Sequence, residues 1–232
     1  MLSRRRILAI LSMTISFTAG AEDLALTPQA PLELFDELAE NPIRIASGDL
    51  NGDGIVDAVV IDADSDKAIT LIGTGGGKFV TGPGSPHELG VFPFDVLVTD
   101  FNADGLLDCA VANVLSNDVT VLLGDGTGNL EASPGSPYAV GDGPRSMDAA
   151  DVDNDGNIDL VSGNQNSNDV SILIGDGAGA FALASSIANP NANPISAIAL
   201  AELTGDNSAD LVIASRNSGE VSVLEGNVNG GF

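Results

Sequence analysis

A nine-residue acidic motif recurs along this chain at an unvarying spacing of 51 residues. Its first three copies are DLNGDGIVD at 49–57, DFNADGLLD at 100–108 and DVDNDGNID at 151–159. A degenerate fourth copy, ELTGDNSAD, follows at 202–210. Four copies at one spacing indicate that the fold is an array of a single supersecondary unit. This period restricts the fold more tightly than any bulk property of the chain.

Apolar residues within each repeat follow the pattern of short β-strands. When the four repeats are aligned, two positions ahead of the motif, those of Ile45 and Ser47 in the first repeat, hold mainly apolar residues. Apolar residues at alternate positions are typical of a half-buried strand. Two runs rich in β-branched residues follow the motif, and a polar turn separates them. A Gly-rich turn such as 75–78 ends the second run, and a weaker fourth strand then leads into a crossover that bears Pro93 or Pro144.

These elements predict an all-β fold, a β-propeller-type array of four 51-residue, four-stranded blades. The blades are expected at 43–93, 94–144, 145–195 and 196–232. The last blade reaches Phe232 where its fourth strand should begin, and segment 29–42 aligns with 80–93. We therefore expect residues 22–42 to contain a strand that closes the ring, or else to be a flexible leader. A closed propeller, a partial propeller and a truncated piece of a longer repeat protein all remain open.

The amino terminus has the pattern of a signal peptide. Three arginines at 4–6 precede an apolar stretch that ends in a small-residue cleavage site at 19–21. These arginines fit either an ordinary secretory signal or a twin-arginine signal. We expect residues 1–21 to be removed, leaving an exported chain in the periplasm or outside the cell, with no membrane span in the mature part.

Charge restricts the partners of the mature chain. Without the signal, five Lys and Arg residues stand against 33 Asp and Glu residues, a net charge of −28. This balance opposes binding to nucleic acid or to an anionic membrane. The four motifs hold 13 of the 33 acidic residues, so much of the acidity belongs to the repeated loops.

The single cysteine, Cys109, occupies the repeat position that holds Ala58, Leu160 and Leu211 in the other copies. This apolar position indicates that Cys109 lies in the core and is not a nucleophile.

The motif places oxygen-bearing side chains where a cation-binding loop needs them. Asp or Asn at positions 1, 3 and 5 points three oxygens inward, and Gly at position 6 permits the sharp turn. Position 7 offers its backbone carbonyl, and the Asp at position 9 closes the site. Calcium accepts six to eight such oxygens, whereas magnesium requires a tight octahedron and retains its waters. The predicted ligands of about three calcium ions are Asp49, Asn51, Asp53, Ile55, Asp57, Asp100, Asn102, Asp104, Leu106, Asp108, Asp151, Asp153, Asp155, Asn157 and Asp159.

The fourth motif departs from this pattern, and the rest of the chain offers little for catalysis. Glu202, Thr204 and Asn207 replace the usual Asp, Asn and Gly, so we expect that loop to be weak or empty. His87 and Tyr138 occupy the same repeat position in two crossovers and are expected at the surface. The chain has neither a Gly-x-Ser-x-Gly motif nor zinc-spaced histidines. We therefore predict no catalytic residues and no enzyme activity.

The full pattern of motif, strand, Asn/Ser-rich turn, strand and Gly-x-Gly-x-Phe turn resembles the FG-GAP/VCBS repeat family, which also supplies the blades of integrin α-subunit propellers. EF-hands share the acidic motif but need flanking helices and a Glu at loop position twelve, where this chain has Val60, Val111 and Ser162. The resemblance covers 43–232. The Phe-Gly and Gly-Ala-Pro signatures are not intact, and relatives usually have more than four blades.

This resemblance implies a module that binds an extracellular protein or glycan, in adhesion for example, and that uses calcium structurally. Ligands would meet the loops on the side away from the calcium motifs. The candidate contact segments are 64–67, 84–92, 115–118, 134–144, 166–169, 188–195 and 216–219. The alternative is a catalytic or non-catalytic part of a secreted polysaccharide-active enzyme. Non-repeated polar residues that could serve such an enzyme are limited to His87, Glu88, Arg145 and Arg216.

Overall fold

A computed structural model of the protein describes residues 41–191 and 193–232. The predicted signal peptide, 1–21, and all but the last two residues of the predicted closing segment, 29–42, lie outside the described residues. Every regular element in the described part is a β-strand, which confirms the predicted all-β fold. No helix among these residues is long and apolar enough to cross a membrane.

The strands form four antiparallel sheets in the described part of the chain. Sheet 1 consists of β1 (Pro42–Gly48), β2 (Asp57–Asp62), β3 (Lys67–Gly75), β4 (Lys78–Thr81) and β5 (His87–Glu88). Sheet 2 consists of β6 (Pro93–Thr99), β7 (Asp108–Asn113), β8 (Asp118–Gly124), β9 (Leu130–Ala132) and β10 (Tyr138–Ala139). Sheet 3 consists of β11 (Pro144–Ala150), β12 (Asp159–Asn164), β13 (Asp169–Gly175) and β14 (Phe181–Ala188). Sheet 4 consists of β15 (Ile195–Ala201), β16 (Asp210–Ser215) and β17 (Val221–Leu224).

Each sheet has two distinct ends because consecutive strands are antiparallel neighbours. The acidic motif connects the first strand to the second, and the Gly-rich turn leaves the third strand at the same end; we name this the loop end. The turn between the second and third strands lies at the opposite end, together with the connection to the next sheet; we name this the crossover end. The fold thereby separates the acidic motifs from most of the candidate contact segments.

The fourth strand of sheets 1 and 2 is interrupted, whereas β14 in sheet 3 is continuous. At the break in sheet 1, the side-chain oxygen of Ser85 accepts the backbone N–H of Thr70, and Ser136 does the same for Val121 in sheet 2. The strand then resumes at His87 and Tyr138, whose side chains are buried. The prediction that these two residues lie at the surface was therefore wrong, because the short strands β5 and β10 return them to the sheet.

Packing between sheets explains why the second strand of a repeat is buried on both faces. In sheet 2, Val111 packs with residues of sheet 1, while its neighbour Ala110 packs with residues of sheet 3. A third cluster joins sheets 3 and 4. The first strands, β1, β6, β11 and β15, contact one another in chain order. Sheets packed face to face around their first strands form a propeller-like arrangement.

Sheet 4 ends this arrangement in the described part of the chain. Val221 and Val223 are 64% and 54% exposed, whereas the equivalent Val170 and Ile172 of sheet 3 are fully buried against sheet 4. Among the described residues, β17 also pairs with β16 alone. The outer edge and one face of sheet 4 are thus uncovered by the described sheets.

Candidate metal centre

The backbone of the acidic loops holds their carboxylates at fixed positions. In the first loop, one oxygen of Asp49 accepts the N–H of Gly54 at 2.8 Å and the other accepts that of Asp53 at 3.1 Å. Asp53 in turn accepts the N–H of Ile55 at 2.7 Å. Loops two and three repeat these bonds at equivalent residues. The predicted ligands at positions 1, 5 and 7 therefore lie in one backbone-ordered turn in each loop.

Position 6 adopts the left-handed backbone that the turn requires. Its φ is +80° at Gly54, +84° at Gly105 and +93° at Gly156. Asn207 takes the same region in the fourth loop, with φ +68°, because asparagine tolerates it better than other side chains. Loss of glycine therefore has not removed the turn from the degenerate loop.

Loop three brings three carboxylates together. Oxygens of Asp151, Asp153 and Asp159 lie within 4.8 Å of one another, the one such acidic group in the described part of the chain. In loops one and two, position 3 is an asparagine whose amide donates to the carboxylate at position 5. Asp153 has no such donor. Converging hard oxygens with unbalanced negative charge fit a divalent cation such as calcium.

The Asp at position 9 has a second role that sequence reasoning missed. Asp57 is completely buried, and its two oxygens accept the backbone N–H groups of Leu50 at 2.9 Å and Gly73 at 2.7 Å. The same two bonds occur at 2.8–2.9 Å at Asp108, Asp159 and Asp210. This carboxylate joins the start of the acidic loop to the end of the third strand. We name this arrangement the aspartate clasp.

The clasp requires a glycine at the end of the third strand. A Cβ built on Gly73 would lie 2.4 Å from the backbone oxygen of Val56, and one on Gly226 would lie 2.0 Å from that of Ala209. Gly124 and Gly175 have the same restriction. The repeated glycine at this column was the sequence signal for the clasp, because a backbone approach this close excludes any side chain.

The pKa of the clasp aspartate differs between loops two and three and the degenerate fourth loop. Burial is the largest cause that raises the pKa of Asp108 and Asp159; the clasp N–H groups oppose this shift, and neighbouring carboxylates of the loop add a smaller upward contribution. The N–H groups of Gly226 and Leu203 instead lower the pKa of Asp210. The loop carboxylates thus contribute some negative charge near the clasp of loops two and three, and a bound cation would favour the charged form of Asp108 and Asp159.

The fourth loop keeps its clasp but not its oxygen cluster. Glu202 accepts the N–H of Gly205, and Asp206 accepts that of Ser208 at 2.8 Å. No group of three acidic side chains converges at this loop in the described residues. In the described part of the chain, loops one and two, where position 3 is asparagine, have no such acidic group either, so this feature separates loop four from loop three alone.

Comparison with known proteins identifies the repeat. The FG-GAP-like repeat family matches at three overlapping windows, 49–111, 100–162 and 151–213. Each window begins at the first Asp of a motif, and together they cover well over half of the chain. The resemblance inferred from the motifs is confirmed. No curated protein matches the chain.

Solved structures show the same fold at low sequence identity. The chain is similar to BBS1N in its complex with ARL6DN, at 19% identity and a TM-score of 0.53, over 82% of this chain and 55% of that one. A functionally unknown protein from Desulfotomaculum acetoxidans DSM 771 gives 16% identity and 0.55, over 89% and 63%. A protein from Lactobacillus plantarum gives 16% and 0.55, over 88% and 60%. The chain thus spans less than two thirds of each of these structures.

Proposed function

This chain belongs to the FG-GAP-like repeat family, and from that premise we propose that it is an exported, calcium-stabilised module for ligand binding or adhesion. Calcium would be structural and would occupy the loop end of the sheets. The crossover end would face the ligand, an extracellular protein or a glycan. The proposal includes no catalytic step.

The observation that carries the calcium proposal is the repetition of one backbone-ordered oxygen loop in three sheets, with converging carboxylates at Asp151, Asp153 and Asp159. A polar turn without a metal explains one such loop, but the same backbone bonds in three loops favour a shared ligand. Calcium suits the flexible set of carboxylate, amide and carbonyl oxygens better than magnesium does.

We expect isothermal titration of the mature chain to give about three calcium ions, one for each complete loop. Asp104→Ala should lose one ion, and the matched variant Asp206→Ala in the degenerate loop should lose none. Four equivalent sites, or an Asp206→Ala protein short of one ion, would contradict the assignment. Magnesium at the same concentration serves as the cation control.

Structural calcium also raises stability. An ion that binds only the folded state contributes RT ln(1 + [L]/Kd), or roughly 4 kcal/mol per site at a thousandfold excess over Kd. The melting temperature in calcium should therefore be well above the melting temperature in chelator. Coincident melts would exclude a structural role.

Ligand binding can be separated from catalysis with one set of probes. We expect the calcium-loaded chain to bind components of a glycan and matrix-protein array and to leave bound glycans intact in hydrolysis assays. Turnover of a bound glycan would instead favour the enzyme alternative.

Mass spectrometry of secreted protein should find Glu22 as the first residue, whereas an uncleaved cytoplasmic product would contradict export.

A further inference from the structure

A β-bulge occurs at the same repeat position in the first strand of every sheet. The strand pairing shifts register there, and the residues at the shift are Ile43, Phe94, Arg145 and Ser196. Bulges leave one residue outside the ladder and re-aim its side chain. This column holds an aliphatic, an aromatic, a cationic and a hydroxyl residue, whereas the core columns repeat their chemistry. It is therefore a position where the repeats have become specialised.

Two guanidinium groups converge on the aromatic residue of this column. The guanidinium carbon of Arg44 lies 5.1 Å from the ring centroid of Phe94, and that of Arg145 lies 4.4 Å from it. Both distances are within the range of cation–π attraction. Arg44 is exposed, while Phe94 and Arg145 are half-buried. Three successive sheets thus contribute one side chain each to a single cluster, which we name the arginine cluster.

The cluster is unusual for a chain this acidic. Arg44 and Arg145 are two of the five cationic residues after the signal. Among the described residues, the one salt bridge joins Lys67 to Glu88 and involves neither arginine. The nearby Asp95 uses its carboxylate to accept the N–H of Met147 at 2.8 Å. One guanidinium nitrogen of Arg44 donates to the carbonyl oxygen of Ile43 at 3.2 Å, and the charge of Arg44 acts on the Asp95 carboxylate. Neither arginine forms a salt bridge in the described part, so the remaining planar donors can pair with an external carboxylate.

A polar cavity also lies at the crossover end. The backbone N–H of Gln165 bonds to Gly143, two residues before Arg145. Gln165 also lines an open cavity of about 350 Å³ between sheets 3 and 4, together with Asn166, Pro194, Arg216 and Asn217. Amide and guanidinium groups suit hydroxyl-rich ligands, and this volume lies at the lower end of the range for ligand sites. The side-chain amide of Gln165 already donates to the carbonyl oxygen of Ile195 at 3.3 Å, so the groups offered to a saccharide are those of Asn166, Arg216 and Asn217.

We propose that the arginine cluster binds the carboxylate of an acidic saccharide. This inference rests on the proposed ligand-binding function and adds its location and ligand chemistry. A net charge of −28 after the signal repels a densely charged polyanion, so carboxylates separated by neutral sugars are the better match. The carboxylate would pair with the guanidinium forks, and the neighbouring hydroxyl groups would meet the amide-lined cavity.

The test uses the calcium-loaded mature chain and a hyaluronan tetrasaccharide, in which glucuronate alternates with a neutral sugar. Titration should show binding of this probe and none of its carboxyl-reduced form. Arg44→Gln and Arg145→Gln should each weaken binding about tenfold, as expected for the loss of one charged hydrogen bond. Lys78→Gln, at the loop end, is the matched control and should bind as the parent chain does. Circular dichroism confirms that each variant is folded.

Several outcomes would overturn the inference. They are equal binding of the carboxyl-reduced tetrasaccharide, unchanged affinity in both arginine variants, and binding of an acidic peptide without the saccharide. Failure of the probe to bind at all would also overturn it. None of these results touches the broader proposal, because calcium stoichiometry and array binding are measured independently. If array binding fails as well, the ligand-binding function itself is wrong.

Discussion

At loop position 4, all four repeats use the left-handed region of backbone conformation. The residues are Gly52 at φ +71°, Ala103 at +58°, Asn154 at +60° and Gly205 at +86°. Glycine and asparagine enter this region readily, but a side chain such as that of alanine costs about 1–2 kcal/mol there. Ala103 is therefore a strained residue in an otherwise regular loop.

We predict that Ala103→Gly raises the free energy of unfolding by about 0.5–1 kcal/mol, since part of the relieved strain is offset by glycine's larger entropy in the unfolded chain. Gly52→Ala is the matched reverse change and should lower it by a similar amount. A Cβ at Gly52 meets no atom within 4 Å, so the effect is conformational and not steric. Urea denaturation in saturating calcium measures both. Equal stability of both variants and the parent would contradict the prediction.

Cys109 provides a second prediction for a single residue. Its side chain is fully buried, and burial raises the pKa of the thiol to about 12, so the reactive thiolate is scarce. We expect no labelling by Ellman's reagent at pH 8 in the folded protein and stoichiometric labelling in denaturant. Because the chain has one cysteine, the signal has one source. Rapid labelling of the folded protein would refute the core assignment.

In the fourth repeat, the aspartate clasp is retained although several of the predicted metal ligands are replaced. Loop four has lost the usual residues at three positions, yet Asp210 still accepts the N–H groups of Leu203 and Gly226. Deleting an acceptor leaves buried donors unpaired, which generally costs about 1–3 kcal/mol for each donor. The clasp therefore stabilises a sheet independently of any cation.

We predict that Asp210→Ala destabilises the protein in chelator to an extent comparable with Asp57→Ala. Asp206→Ala, four residues away and exposed, should change stability little. Differential scanning calorimetry with and without calcium separates the two roles. If Asp210→Ala were harmless in chelator, the clasp would have no energetic importance.

The sequence predicted the sheets well and the roles of individual side chains less well. Alignment of the repeats at a period of 51 residues showed where the strands lie, because packing on both faces of a sheet requires similar residue types at the same position of each repeat. The sequence did not reveal the clasp because an aspartate can serve either as a buried acceptor of backbone N–H groups or as a metal ligand. His87 was misplaced because a serine side chain, at Ser85, substitutes for one strand bond and lets the strand resume after a proline.

For the whole molecule, the uncovered side of sheet 4 makes ring closure testable. The predicted closing segment, 29–42, lies outside the described residues apart from its last two positions. If it pairs with β17, deletion of residues 22–40 should expose that edge and cause concentration-dependent association. Light scattering of the deleted and complete mature chains tests this. A deleted protein that stays monomeric and equally stable would identify the segment as a dispensable leader.

Neighbouring sheets pack through equivalent positions of the 51-residue repeat, so the gene can gain or lose whole repeats while the packing between sheets is retained. An in-frame exchange between repeats removes or adds 51 residues and recreates an equivalent joint. Removal of 94–144, for example, would place Leu160 where Cys109 now faces the core of sheet 1. Unequal recombination can therefore change the number of blades in a single step, while point mutation alters a bulge side chain such as Arg145 without disturbing the array. The number of repeats and the chemistry of the bulge position can thus be inherited as separate traits.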